Sequence, residues 1–160
     1  MRDARDGGLL SRLTTRLITY GALAARPLTL GVRGLVVDPD GRVLLVRHTY
    51  VSGYYLPGGG VEPGETLEQA LARELSEEGN IELEGPAELR GIYLNRNVSR
   101  RDHVALFVVR AFRQTAPRTP DYEIAEAGFF ALGALPETTT RATRERLEEV
   151  LVAGAASPYW

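Results

Sequence analysis

The chain contains neither cysteine nor lysine, and these two absences remove several classes of chemistry. All 19 basic residues are arginine. Without cysteine, the sequence excludes disulfides, thiolate metal sites and a cysteine nucleophile. Without lysine, it excludes a lysine nucleophile and a Schiff base. Arginine, in contrast, suits the bidentate recognition of phosphate. The formal net charge of −2 gives no indication of general nucleic-acid binding.

The length and composition are those of an ordinary globular domain. A chain of 160 residues is long enough to bury a proper hydrophobic core. Its apolar share of 44% and charged share of 25% are typical of globular proteins. Neither internal repeats nor a linker interrupts the sequence, so we expect one main domain.

Residues 1–27 form an extension whose apolar pattern predicts an amphipathic helix. Apolar side chains recur there close to helical spacing, with arginines between them: Leu9, Leu10, Leu13, Leu17 and Tyr20. The segment suits an interfacial membrane helix, and Ala22-Leu23-Ala24 resembles a signal-peptide cleavage site. We favour a helix that packs on the domain or on a second subunit in a homodimer. The apolar run 17–25 is too short to span a bilayer, and we expect a cytoplasmic protein.

The rest of the chain predicts a mixture of strands and helices. Two apolar strands, 28–37 and 42–47, flank the turn Asp38-Pro39-Asp40-Gly41 and predict a hairpin. Further strands are predicted at 88–94, 104–112 and 128–132, and helices at 66–79 and 140–152. Because strands and helices are mixed rather than strictly alternating, the pattern favours an α+β layered fold.

The predicted helix at 66–79 changes character halfway along its inward face. Its first half presents an apolar stripe of Leu67, Ala70 and Leu71. Three carboxylates continue that stripe in the second half: Glu74, Glu77 and Glu78. Partly buried carboxylates need a partner, and clustered oxygen ligands suit a hard divalent cation such as magnesium. A solvated acidic face is the alternative, but it does not explain why the apolar stripe runs into the carboxylates.

The loop before this helix adds a glycine run whose backbone can approach a ligand closely. Together, loop and helix resemble the Nudix box of pyrophosphohydrolases that act on nucleoside diphosphates linked to another group. The pattern is Gly, five residues, Glu, seven residues, Arg-Glu, an aliphatic, any residue, Glu-Glu, any residue, Gly and an aliphatic. The matching positions are Gly59, Glu65, Arg73, Glu74, Leu75, Glu77, Glu78 and Ile81. Asn80 replaces the last glycine, and asparagine is the next-best residue for ending a helix in the left-handed conformation.

The resemblance implies a fold, a reaction and a cofactor. The implied fold is a Nudix-type α/β/α sandwich with a mixed β-sheet over residues 28–160. The implied reaction is hydrolysis of a pyrophosphate bond by attack of water on phosphorus, with Mg²⁺ or Mn²⁺ as cofactor. The implied substrate is a nucleotide-type small molecule rather than a nucleic acid. The alternative is a catalytically silent domain that senses a nucleotide, although such a domain would be expected to lose the box carboxylates that this chain keeps.

The resemblance also assigns roles by position. The implied metal ligands are the Gly58 carbonyl and the carboxylates of Glu74, Glu77 and Glu78. Either Glu74 or Glu77 would act as the general base. Arg73 would orient the carboxylates through an ion pair with Glu65, and Gly59 would support the loop.

Outside the box the candidates are less specific. Family members often carry a further carboxylate on a late loop, for which Glu123 is the first candidate and Glu126 the second. The arginines at 96, 100 and 101 form a cluster that suits phosphate binding; ordinary surface positions are the alternative for Arg96, Arg100 and Arg101.

The roles of two histidines and four tyrosines remain open in the same way. His48 and His103 lie at strand ends, where local hydrogen bonding competes with a role in the reaction. Aromatic side chains that suit base stacking, or equally the core and rim of a sheet, are Tyr50, Tyr54, Tyr55 and Tyr93. The position at which ADP-ribose hydrolases of the family tend to carry proline is Asn95. The substrate therefore stays open among nucleoside triphosphates, nucleotide sugars and dinucleoside polyphosphates.

Overall fold

Seven strands and two α-helices make up the domain. A computed structural model describes residues 27–160 of the chain. The strands are β1 (Thr29–Val36), β2 (Val43–His48), β3 (Ile81–Leu83), β4 (Glu88–Leu94), β5 (Asp102–Val109), β6 (Phe112–Gln114) and β7 (Ile124–Phe130). The helices are α1 (Leu67–Gly79) and α2 (Arg141–Leu151), with a short 3₁₀ turn at Leu132–Ala134.

The central sheet has the order β1–β5–β4 and is mixed. β1 runs parallel to β5, from Thr29 opposite Asp102 to Val36 opposite Val109. β4 runs antiparallel to β5. Two smaller antiparallel pairs, β2 with β7 and β3 with β6, complete the strand pairing. The mixed sheet predicted from the sequence is therefore confirmed.

The predicted β1–β2 hairpin is wrong beyond its first residues. The turn itself forms, because the Asp38 carboxylate accepts hydrogen bonds from the backbone N–H groups of Asp40 and Arg42. Only Val37 and Val43 then pair across it. Beyond that point β1 pairs with β5, and β2 pairs with β7. The local sequence therefore predicted the turn correctly, but β1 and β2 pair with strands that are distant in sequence rather than with each other.

Each helix packs against a different face of the sheet, which gives the three-layer sandwich. Alternate β1 residues point to opposite faces. Val32 and Val36 pack with Leu71 of α1, whereas Leu35 packs with Leu147 of α2. Gly34 is required for the first contact, since a Cβ there would lie 2.9 Å from a methyl carbon of Leu75.

The ends of α1 are fixed by local hydrogen bonds. At its start, Thr66 and Gln69 form a reciprocal capping box. At its end, Asn80 adopts the left-handed conformation, with φ 53° and ψ 37°, and its N–H reaches carbonyls of the last turn. The side-chain amide of Asn80 also donates to the carbonyls of Ala116 and Pro117. The expectation that asparagine can replace glycine at this position is met.

The predicted N-terminal amphipathic helix within residues 1–27 lies, apart from Pro27, outside the described residues. Across residues 27–160, no helix combines the length and the apolar character that crossing a membrane requires.

Candidate active site

The glycine-rich loop is held in place by the edge of β1. Residues 57–61 run antiparallel alongside β1, with Gly31 opposite Gly60. The N–H of Val32 donates to the Gly59 carbonyl at 2.9 Å, and the N–H of Gly34 donates to the Pro57 carbonyl at the same distance. These bonds give the loop the positional precision of a strand.

Two glycines of this loop are required by close packing. Gly58 has φ +140°, and a side chain there would collide with the carbonyl of Val32. A Cβ on Gly59 would lie 2.5 Å from the Glu74 carboxylate. The backbone of the loop at Gly59 therefore lies directly against the Glu74 carboxylate of α1. Gly60, in contrast, has open space around it.

Arg73 ties the first part of the box together. Its guanidinium donates to both Glu65 oxygens, at 3.0 and 3.1 Å, in a bidentate ion pair. It also donates to the Glu74 carboxylate at 2.7 Å and to the Gly60 carbonyl at 3.0 Å. These hydrogen bonds to Glu65 and Glu74 raise the pKa of Arg73 and lower that of Glu65. The predicted Arg73–Glu65 ion pair is present.

Glu78 is the most deeply buried of the box carboxylates, with 5% of its surface exposed. It accepts a hydrogen bond of 2.8 Å from the N–H of Gly58, and its other oxygen lies 3.4 Å from Nε2 of His48. Burial raises the pKa of Glu78 to about 7, against the opposing effects of the Gly58 N–H and the Arg33 charge. Burial also lowers the pKa of His48, which weakens this imidazole as a counter-ion for Glu78.

Glu77 departs from the predicted inward face, since 62% of its side chain is exposed. It lies 3.5 Å from the Arg73 guanidinium. At roughly 100° per residue, Glu77 is displaced by about 105° from the mean direction of the buried side chains of α1. Glu74 and Glu78 therefore continue the buried stripe, while Glu77 lies at its rim.

The loop before β7 brings Glu123 towards the same region. The negative charge of Glu123 raises the pKa of both Glu78 and His48. The second candidate, Glu126, instead forms an ion pair of 3.3 Å with Arg47 across the β2–β7 pair. The structure therefore favours Glu123 over Glu126 as a carboxylate near the box.

Arg33 is a site residue that sequence reasoning missed. Its guanidinium donates to the carbonyls of Leu56, at 3.0 Å, and of Gly58. It lines two cavities beside the glycine-rich loop. The available signal was a lone charge in the middle of an apolar strand, 28–37.

The predicted arginine cluster lies elsewhere. Arg96 stacks on the Tyr159 ring at 3.3 Å and lines a separate cavity with Arg100. Neither cavity beside the glycine-rich loop is lined by Arg96, Arg100 or Arg101.

The two histidines also differ in position. His48 is buried against Glu78, and no described residue accepts or donates a hydrogen bond at its Nδ1. His103 lies on β5 and pairs in register with Leu94 of β4. Local hydrogen bonding therefore does not account for His48, whose contact with a box carboxylate was not anticipated.

The donor set fits a hard divalent cation in its chemistry. Oxygen donors dominate the region, and a carboxylate as buried as Glu78 gains from a positive neighbour. Within residues 27–160, no three His, Cys, Asp or Glu side chains form a group that could by itself hold a metal ion. Magnesium does not require one, because it is usually held by one or two carboxylates together with waters and substrate phosphates.

Comparison with known sequences finds a matching family model and several related proteins. The family model described as the NUDIX domain matches residues 27–151. A MutT-like protein from Streptomyces ambofaciens is 43% identical over 67 residues, covering 42% of this chain and 43% of that protein. An ADP-ribose pyrophosphatase from Methanocaldococcus jannaschii is 31% identical over 107 residues, covering 64% of this chain and 62% of that protein. The chain thus matches less than two thirds of the length of these relatives.

A solved structure extends the similarity over most of the domain. The MutT NUDIX hydrolase from Burkholderia pseudomallei aligns with a TM-score of 0.65 and 31% identity, covering 76% of this chain and 97% of that one. The resemblance recognised from the box is thereby confirmed, and the Nudix fold extends well beyond residues 59–81. The chain belongs to the NUDIX domain family.

Proposed function

We propose that the protein is a divalent-metal-dependent hydrolase that cleaves a pyrophosphate bond in a nucleoside diphosphate linked to another group. Nudix hydrolases generally use divalent metals and act on nucleotide-type small molecules. Mg²⁺ or Mn²⁺ is the proposed ion, and the cytoplasm is the proposed location.

The observation that carries this proposal is the buried carboxylate of Glu78 beside the glycine-rich loop. In the described part of the chain, no arginine hydrogen-bonds to it: it contacts the Gly58 N–H and the His48 imidazole. The Arg33 charge acts on it without a hydrogen bond, because that guanidinium donates to the carbonyls of Leu56 and Gly58. Another carboxylate, Glu74, packs against the same loop at Gly59. A carboxylate buried without a directly bonded counter-ion is costly to stability, so its placement supports a cation-binding role.

Glu74, Glu77, Glu78 and the Gly58 carbonyl are the proposed metal ligands, and Glu123 is a proposed additional carboxylate. A divalent cation bound there would draw charge off the phosphates and lower the pKa of water. In the proposed reaction, Glu74 or Glu77 accepts the proton of the water that attacks phosphorus. Glu77 has the freedom to do so because it is largely exposed.

Arg73 is proposed to act as a positioning residue. Its bidentate pair with Glu65 fixes the guanidinium, which then holds Glu74 against the loop. Phosphoryl transfer depends on positioning and charge neutralisation more than on covalent chemistry. The Glu65–Arg73–Glu74 chain of contacts is suited to provide that positioning.

The first experiment incubates the purified protein with Mg²⁺ or Mn²⁺ and a panel of phosphoanhydrides. The panel contains nucleoside triphosphates, ADP-ribose, nucleotide sugars and dinucleoside polyphosphates, and chromatography resolves the products. Reaction in ¹⁸O-labelled water identifies the phosphorus that is attacked, because the label enters only the product formed there. We expect one class to be cleaved and the label to appear in a phosphate product.

Glu77→Gln and Glu78→Gln should each reduce turnover by at least about 100-fold, in line with the loss of a group that orients or binds the metal. Glu148→Gln makes the same chemical change on the exposed face of α2 and should leave turnover unchanged. Near-normal turnover in both box variants would exclude the proposed mechanism. Nucleotide binding without any cleavage would indicate a sensor instead.

A further inference from the structure

Two cavities that share Arg33 lie near the glycine-rich loop, and one of them is lined by the loop itself. One has a volume of about 340 Å³ and reaches Tyr55 and the start of α2. The other, of about 240 Å³, reaches Gly59 and Gly60. The first lies within the range of small-molecule sites. Both cavities are lined by Arg33, Asn95, Val98 and Trp160.

Trp160 is brought to this cleft by a short segment paired with the edge of the central sheet. The N–H of Leu94 donates to the Pro158 carbonyl at 2.9 Å, and the N–H of Trp160 donates to the Leu94 carbonyl at 3.1 Å. Tyr159 lies opposite Leu94 as a parallel bridge. Residues 158–160 therefore extend the sheet beyond β4.

A buried polar cluster fixes this segment from the inside. Arg146, only 2% exposed, donates to the Tyr159 carbonyl at 2.8 Å and lies 4.5 Å from the Tyr93 ring centre. It forms an ion pair of 3.1 Å with buried Glu149, which accepts a 2.8 Å hydrogen bond from the Tyr93 hydroxyl. A buried pair of this kind is weak evidence for stability, but it defines one position for the segment that it holds.

The Trp160 ring is also fixed by direct packing. It meets Tyr93 edge to face, with ring centres 5.7 Å apart. Arg96 stacks on the neighbouring Tyr159 from the outside. The indole is thus oriented before any ligand arrives, so little conformational entropy is lost when a ligand contacts it.

We propose that Trp160 is a specificity-determining residue, which recognises the planar base of the nucleotide by stacking within this cleft. The proposal rests on the proposed function, because it takes the substrate to be a nucleotide. The cleft joins the loop at Gly59 and Gly60, so a base against Trp160 leaves the phosphates directed towards the box carboxylates. Arg33 lines both cavities and donates to the carbonyls of Leu56 and Gly58, so its positive charge lies where the cleft meets the loop.

Tryptophan fluorescence tests the proposal without requiring turnover. Trp160 is the only tryptophan in the chain, so its emission reports on this position alone. The intact protein is titrated with AMP, GMP, CMP and UMP, and separately with ribose 5-phosphate, which has the phosphate and sugar but no base. We expect at least one nucleotide to quench the emission and ribose 5-phosphate to leave it unchanged. Equal responses to both, or no response to any nucleotide, would overturn the proposal.

Variants then separate recognition from catalysis. Loss of base stacking should weaken binding by about 10- to 100-fold. Trp160→Ala should therefore raise KM, or the Kd of the best monophosphate measured by calorimetry, by that factor while kcat changes less than about threefold. Trp160→Phe should restore most of the affinity. Val152→Ala truncates an exposed apolar side chain that follows α2 and lines neither cavity, and should change both constants less than about twofold.

The outcomes distinguish this proposal from the proposed function. Unchanged affinity in Trp160→Ala, with hydrolysis intact, would overturn the role of Trp160 and leave the hydrolase standing. Base-dependent quenching without hydrolysis of any compound in the panel would support the role of Trp160 and count against the hydrolase.

Discussion

Replacing Glu78 by glutamine should stabilise the metal-free protein at alkaline pH. Burial raises the pKa of this carboxyl to about 7, against an ordinary value of 4.5. The unfolded chain therefore loses its proton at lower pH than the folded protein does. Glu78 therefore does not weaken the folded protein below about pH 4.5, where it is protonated in both states. The folded protein loses stability as the pH rises from there through about 7. At about 1.4 kcal/mol per pKa unit, the ionised Glu78 costs the folded state roughly 3 kcal/mol.

The Glu78→Gln variant keeps the shape of the side chain and an oxygen that accepts from the Gly58 N–H, but it does not ionise. Thermal melts in EDTA should show a difference below about 1 kcal/mol at pH 5. At pH 8 the variant should be more stable by roughly 3 kcal/mol, which corresponds to about 10 °C in Tm. His48 contributes with the opposite sign, because burial lowers its pKa, but its imidazole is neutral in both states at pH 8.

Adding a divalent cation should close most of this difference in stability between the wild type and Glu78→Gln at pH 8. Magnesium at 100 times its Kd would stabilise the wild-type protein by about 2.7 kcal/mol, and Glu78→Gln should gain less. Glu148→Gln, on the exposed face of α2, should follow the wild type under every condition. If the stability curves of the wild type and Glu78→Gln stay parallel from pH 5 to 8, the assignment of Glu78 as a buried, ionisable cation ligand is wrong.

Three further substitutions test the geometry of the box. Gly59→Ala should reduce kcat at least about 10-fold because its Cβ would displace Glu74, whereas Gly60→Ala, with open space around it, should be nearly silent in the same kinetic assay. Arg73→Lys should destabilise the fold by about 1–3 kcal/mol in urea unfolding, since a lysine cannot reproduce the bidentate ion pair. Asn80→Ala should cost about 1–2 kcal/mol in thermal unfolding, because alanine disfavours the left-handed conformation.

Each of these has a clear contrary result. Equal kinetics for the two glycine variants would show that the loop yields without moving the carboxylate. An unchanged unfolding midpoint for Arg73→Lys would show that the ion pair adds no stability. A neutral Asn80→Ala would imply that the end of α1 rearranges without loss of free energy.

Features set by local interactions were predictable from the sequence. Helix α1 was predicted to within a residue, because its capping box and terminal asparagine are encoded by neighbours in sequence. The acidic end of its inward face was correct for Glu74 and Glu78. Glu77 was misplaced because three carboxylates spread over about 100° of a helix cannot all lie within a narrow buried sector.

Features that depend on distant pairing were not predictable. The turn after β1 indicated a hairpin, yet β1 found its partner in β5, and the last strand begins at Ile124 rather than at 128. Arg33 and His48 became site residues only because the loop at Gly58 and the end of α1 meet beside them. No periodicity in a single sequence reveals such a meeting. The roles of the box residues, of Glu123 and of Arg96, Arg100 and Arg101 stay predictions.

The pairing of β1 with β5 has a consequence for how the protein folds. The loop at 57–61 is ordered by β1, and β1 is itself ordered by a strand whose first residue lies 73 positions away along the chain. Contacts of such long sequence separation slow folding, because the chain loses the entropy of closing a large loop before these contacts can stabilise it. The box helix can form early through its own caps, but the loop that it packs against is positioned only after β1 has paired with β5. We therefore expect the helix signal in refolding experiments to precede recovery of nucleotide binding.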